Sequence, residues 1–253
     1  MRLVVTSSWP RTRDEIAGTF VRTDALFRAR HERVVVAAPS GPGEARGGAG
    51  LELVDVPHGH LFGTPGAAAR LLARPHRLLG LLPFSRAIVR LAGDLRPTAL
   101  VAHWLVPAGA LAGTLGIPTE AIAHGGDVRL LEGVPRHIAR GFLEWLAERV
   151  TLRAVSSGLA ERLRALAPSL PLVIEPLPLA DDEVLHTAHA RGQRLRATFG
   201  RDLCVVAARL VEGKHIERVV PLVSARGKRL VLVGDGPARA GLLALARQAS
   251  LDV

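Results

Sequence analysis

Polar residues suited to chemistry recur in this chain at one kind of place, directly after a short apolar run. His103-Trp104 ends one run and His124-Gly125-Gly126-Asp127 ends another. Two glycines let a backbone turn sharply and approach a ligand, and a histidine beside them can donate a hydrogen bond to a hydroxyl or to developing charge. A plain glycine turn beside a satisfied histidine accounts for the same residues. Trp104 is expected to pack beneath a helix opened by Pro107. Farther along, Arg209 and Lys214 flank the turn after the run Cys204 to Ala208, ahead of a helix expected over 216–223. A guanidinium, an ammonium and helix amides in that arrangement suit a diphosphate, above all one leaving with its charge. Two solvated cations on a loop are the alternative. Gly234-Asp235-Gly236, with Gly241, suggests a dinucleotide-binding loop, but Arg239 stands where its third glycine belongs. Gly18 falls twelve residues after Thr6, in a long loop ahead of Phe20-Val21-Arg22.

These residues need elements to hold them. Continuous β-branched and apolar runs predict strands at 2–6, 33–38, 51–56, 98–103, 119–124, 151–156, 172–175, 202–208 and 229–234. Between several of them the apolar residues follow a helical period. Ile138, Phe142, Trp145 and Leu146 share one face, as do Leu159, Leu163 and Leu166, and Leu242, Leu245 and Ala249. Such alternation predicts an α/β fold, a doubly wound parallel sheet covered by helices on both sides. Pro176-Leu177-Pro178, followed by Asp181-Asp182-Glu183, interrupts the pattern, which restarts near Arg191. Residues 1–178 therefore read as one domain, and 179–253 as a second α/β unit with two clear strands, shorter than the roughly 100 residues usual for such a domain.

Composition narrows the field further. With 48% hydrophobic residues, 22% charged and a mean hydropathy of +0.24, the 253-residue chain is not generally disordered. The net charge of +10 is carried almost wholly by arginine, dispersed along the chain, and with 4% aromatics and no tyrosine it offers no nucleic-acid footprint. The single cysteine, Cys204, reads as a reduced, packed thiol. Met1 to Ser8 holds too short an apolar run for a signal-peptide core, and no stretch approaches the roughly 18 apolar residues that span a bilayer. A cytoplasmic location follows as the expectation. Between Arg70 and Arg96, six arginines face the single acid Asp94 and alternate with Leu71, Leu72, Leu78, Leu79, Leu81, Leu82 and Phe84. Such a segment suits either weak contact with the inner face of an anionic membrane or a helix packed on its own domain. Pro75 and Pro83 rule out one long helix.

Taken in order, the motifs Gly18-Thr19-Phe20-Val21, His103-Trp104 with Pro107-Ala108-Gly109, His124-Gly125-Gly126-Asp127, Val155-Ser156-Ser157, Arg209-Leu210-Val211-Glu212-Gly213-Lys214 and Val233-Gly234-Asp235-Gly236-Pro237 resemble glycosyltransferase family 4. These are retaining, nucleotide-sugar-dependent enzymes of the GT-B fold. The resemblance implies two Rossmann-like domains facing a cleft, the first binding a glycan, lipid or small-molecule acceptor and the second a nucleotide-diphosphate sugar. It implies that Arg209 and Lys214 hold the donor diphosphate, with Gly18 near it. His124 and Asp127 become the catalytic residues, His124 against the donor sugar. His103, Gly125, Gly126, Gly234 and Gly236 become further cleft residues. No metal or cofactor is implied, because cationic side chains and helix amides take the leaving-group charge.

Family members continue past the Val-Gly-Asp-Gly-Pro helix into a glycine-rich Glu-x7-Glu motif, which does not follow Pro237 here; Glu44 with Glu52 and Glu175 with Glu183 share the spacing but precede Arg209 and lack the glycine-rich surroundings. The expectation is an incomplete second domain and poor or no catalysis by this polypeptide alone, which a further polypeptide completing the domain or a truncated gene model would each explain. A non-catalytic, glycosyltransferase-derived binding or partner module is the alternative reading.

Overall fold

The computed structural model of the chain describes residues 1–10, 18–39, 50–62, 70, 73–178, 182–200 and 202–249. It forms two compact units, Met1–Asp181 and Asp182–Val253.

Unit 1 is built on seven parallel strands: β1 (Arg2–Val5), β2 (Val34–Ala38), β3 (Leu51–Asp55), β4 (Ala99–His103), β5 (Thr119–Ala123), β6 (Thr151–Ala154) and β7 (Val173–Ile174). They lie in the order β3-β2-β1-β4-β5-β6-β7. Valine and alanine dominate because both faces are covered and a β-branched side chain fits the pleat without losing rotamer freedom. The strand period of two sorts them. Leu3, Val5, Val35, Ala37, Leu100 and Ala102 face one core, while Val4, Val34, Val36, Ala38 and Val101 face the other.

Helix α1 (Thr19–Ala29) covers the second face with Val21 and Ala25. The first is covered by α2 (Leu81–Leu95), α3 (Gly125–Glu132), α4 (Arg136–Ala147) and α5 (Ser157–Leu166). In α4 the buried stripe is Ala139, Leu143 and Leu146, and Ile138 points outward at 53% exposure. The stripe is thus centred about one residue later than expected, with Phe142 and Trp145 packed at its edge. The start of α5 is set by Ser156, whose Oγ accepts the Leu159 N–H at 3.3 Å.

The strand order reverses between β1 and β4, so the connections leaving these two strands part in opposite directions and open a crevice at their carboxyl ends. In open α/β sheets, that is where ligands bind.

In unit 2, β8 (Leu203–Ala207) pairs in parallel with β9 (Arg229–Val233). Helix α6 (Asp182–Phe199) precedes them, running through Asp182-Glu183, where the sequence suggested an interruption; Asp181 lies outside the described residues. Helices α7 (Val219–Ser224) and α8 (Arg239–Gln248) supply the core residues Val220, Val223, Leu242 and Ala246, joined by Leu230. Cys204 is a free thiol, half-buried against this core. The helix expected over 216–223 is present, as a tight turn at Ile216–Arg218 that runs directly into α7; the left-handed His215, at φ 51°, separates it from the turn Glu212–Lys214. No helix among the described residues is long and apolar enough to cross a membrane.

Candidate functional site

At the switch point, β4 ends in His103, and Trp104 follows with φ 73° and ψ 137°, a conformation rare for a bulky residue. The chain then enters an irregular helical turn, Leu105–Gly109. Trp104 does not disappear beneath that turn as expected. It stays half-exposed, edge-on to Phe20 at 5.6 Å between ring centroids and tilted against His124 at 4.9 Å. Phe20, in the first turn of α1, also packs on His124 at 4.9 Å. Three rings from three different connections therefore converge at the carboxyl edge of the sheet.

Beneath them runs a buried chain of polar contacts. His124 Nε2 lies 3.2 Å from His103 Nδ1, and His103 Nε2 lies 3.2 Å from Asp24 Oδ2, with all three residues at least nine-tenths buried. A carboxylate only accepts, so His103 carries its proton on Nε2 and accepts at Nδ1. His124 must then donate from Nε2, which leaves its Nδ1 as an acceptor. That nitrogen faces the Asp127 N–H in the capping box at the start of α3, so both ring nitrogens of His124 are engaged within the fold. Burial pushes the His103 ring below its usual range, and burial together with the neighbouring His103 pushes His124 down to about 3, so both stay neutral. Burial opposes the Asp24 charge, yet the His103 hydrogen bond and the Arg28 guanidinium hold its carboxyl below the ordinary range.

The chain of contacts continues. Arg28 binds Asp24 and Glu120, each at 2.8 Å, and Glu120 binds Arg153 at 2.9 Å. Arg153 donates to the carbonyls of Glu175 and Pro176. This network fills the part of the second sheet face that apolar side chains leave open. The sequence reading missed Asp24. Its signal was a carboxylate three residues after Val21 and beside Ala25, on the buried stripe of α1.

Asp127 is occupied by backbone. Its carboxylate accepts from the N–H groups of Leu105 at 2.7 Å and of His124 and Val128 at 2.9 Å. It pins the turn after β4 to the start of α3 and forms half of a capping box with His124. Burial raises its carboxyl to about 6 against the pull of these N–H groups. Gly125 and Gly126 open α3 on the exposed side, with empty space where a side chain would stand. Gly18 caps α1 at φ 82°, pressed so closely on Ser8 and Trp9 that a Cβ would meet their atoms at 2.9 Å. It lies two residues before the Phe20 ring.

In unit 2, Arg209 follows β8 and Lys214 ends the turn Glu212–Lys214, both exposed. Between them Val211, Glu212 and Gly213 join Pro237 and Ala238 to line a depression of about 390 Å³. Gly234 and Gly236 make this possible. With φ of 146° and 155° they bring the loop after β9 against the Ala208 and Leu210 carbonyls, where any Cβ would collide. Leu210 N–H donates to the Asp235 carbonyl at 2.9 Å, locking the two loops together. Among the described residues no cluster of His, Cys, Asp or Glu has the makings of a metal site.

No protein-family model and no curated protein matches the sequence. Solved structures do. A sucrose-phosphate synthase from Thermosynechococcus elongatus aligns over 99% of this chain and 68% of its own, with TM-score 0.68 and 14% identity. A glycosyltransferase from Rickettsia africae aligns over 98% and 64%, with TM-score 0.55 and 9% identity. WaaG, a glycosyltransferase involved in lipopolysaccharide biosynthesis, aligns over 99% and 68%, with TM-score 0.53 and 15% identity. The fold is that of the GT-B glycosyltransferases. The chain spans about two thirds of the length of these proteins. At such identities the likeness is one of architecture, and within the GT-B fold the chemistry has to be argued from the residues themselves.

Proposed function

We propose that the chain serves transfer of a hexosyl group from a nucleotide-diphosphate sugar to a hydroxyl of a glycan, lipid or small-molecule acceptor, with retention, as in glycosyltransferase family 4. The observation that carries this reading is the pair of exposed cations, Arg209 and Lys214, that flank in sequence the segment Val211 to Gly213 lining a depression at the carboxyl ends of two parallel strands, in a GT-B fold.

In this reading Arg209 and Lys214 bind the diphosphate and neutralise it as the bond from the anomeric carbon to phosphate oxygen breaks. The acceptor oxygen bonds to the anomeric carbon on the face that the phosphate leaves, and its proton passes to the leaving phosphate oxygen. The polar atoms unit 1 offers are the N–H groups of Gly125 and Gly126 at the start of α3. Asp127 acts by positioning that turn, and Gly18 by placing Phe20. The reaction so written needs no metal or cofactor.

Thermal unfolding with millimolar UDP, ADP or GDP tests the reading. One of them is expected to raise the midpoint by several degrees, and Arg209→Ala with Lys214→Ala to abolish the shift. No shift with any nucleotide would overturn it. The full commitment of the Asp127 carboxylate to backbone N–H groups favours a second reading, a non-catalytic module derived from the same fold. Acceptor binding with no turnover, unchanged by Arg209→Ala, would select it.

A further inference from the structure

We propose that the rim of unit 1 formed by the turn Pro75–Gly80 and the outer side of α2 docks on an anionic lipid bilayer. Helix α2 already satisfies its core through Phe84, Ile88 and Ala92, spaced four residues apart on its inner face. Leu82, Arg86 and Val89 fall on the opposite side, and Leu78 and Leu79 precede them on the turn. Leu78 is 54% exposed, Leu79 68%, Leu82 56% and Val89 48%. Single exposed leucines are ordinary, whereas four apolar side chains within twelve residues make a patch that needs a partner. The turn that carries them is fixed, because buried Gly80 lies so close to the His58 carbonyl that no side chain would fit there.

Charge decides which partner. Arg74, Arg77, Arg86 and Arg90 surround the patch, and the one acid nearby, Asp94, pairs with Arg90 at 3.7 Å. Arg74, Arg77 and Arg86 have no carboxylate within ion-pair distance among the described residues. Leu71 and Leu72 lie outside the described residues. Leucines surrounded by unpaired guanidinium groups match a surface with anionic headgroups above and acyl chains below. The patch has no exposed Phe, Trp or Tyr ring to stack on nucleic-acid bases, and leucine is a poor anchor in protein interfaces, where aromatic residues dominate. This inference is independent of any sugar chemistry.

Sedimentation of the full chain with vesicles of phosphatidylglycerol and phosphatidylcholine, against phosphatidylcholine alone, tests it. Binding is expected only to the anionic vesicles, weakening as salt rises from 50 to 500 mM. Arg74→Gln, Arg77→Gln and Arg86→Gln together should lower partitioning about a hundredfold, at roughly tenfold or less per charge. Leu79→Glu with Leu82→Glu should abolish it, and because these residues are exposed, the melting temperature should hold. In Leu79→Trp the added indole fluorescence should shift to the blue on anionic vesicles. Equal binding to both vesicle types, binding to neither, or variants that bind like the parent would overturn the proposal. So would a dimer that Leu79→Glu dissociates while vesicles are ignored, which would assign the patch to a second copy.

Discussion

His124 Nε2 sits 3.2 Å from His103 Nδ1, and the far nitrogen of that same His103 ring sits 3.2 Å from Asp24, so one buried carboxylate sets the tautomers of two histidines. Histidine 15N spectra should show both rings protonated at Nε2. Asp24→Asn supplies both an acceptor and a donor to His103, so a second tautomer should emerge at His124, with about 3 kcal/mol lost because Arg28 also loses one of its two carboxylate partners. A wild-type spectrum with the His124 proton on Nδ1 would refute the assignment.

Acid should weaken unit 1. An unfolded histidine titrates near 6.5, and His124 is pushed down to about 3 in the fold. Between these values the unfolded chain binds a proton that the folded chain refuses, so stability is full above pH 6.5 and falls below it. For His124 alone the loss from pH 7.5 to pH 5 is about 2 kcal/mol, and His103 acts in the same direction. Asp127 opposes them: raised to about 6, it favours the fold when protonated and loses that contribution as pH rises from about 4 to 6. Denaturant melts at both pH values should show a smaller acid loss for His124→Gln than for the parent. An identical loss in both would be the contrary result.

Asp127→Ala should cost about 3 kcal/mol or more, since three backbone N–H groups lose a common acceptor. Asp127→Asn, which keeps one oxygen, should recover part of it. Urea midpoints measure both. A cost under about 1 kcal/mol for the alanine variant would mean that water replaces the carboxylate.

Gly236→Ala forces a Cβ into the Leu210 carbonyl at φ 155°, and about 2–3 kcal/mol of strain is expected. Gly241→Ala, at a helical glycine with open space around it, should be neutral or slightly stabilising. Hydrogen exchange at Leu210, whose N–H donates to Asp235, should accelerate in the first variant only.

Much of the architecture was legible in the sequence, because a parallel strand covered on both faces has to be a continuous apolar run. The run 98–103 became Ala99–His103 and 229–234 became Arg229–Val233, each within one residue at either end. The positions just past those strands, His103-Trp104, His124 to Asp127 and Arg209, were legible for the same reason: polar residues there have left the sheet. The helix expected over 216–223 was legible too, as Ile216–Arg218 and α7; what periodicity does not register is the left-handed His215 just before it.

Strand and helix placement thus followed from local patterns of burial, which hydrophobic spacing records directly. The partnership of Asp24 with His103, 79 residues apart, and of His103 with His124, 21 apart, does not leave such a record. It exists because β1 lies beside β4, which brings α1 over the end of that strand. Neighbours across a sheet are chosen by chain crossovers rather than by spacing along the chain. Tertiary structure alone therefore decided which histidine nitrogen donates, how Trp104 stays half-exposed, and that the Asp127 carboxylate holds backbone.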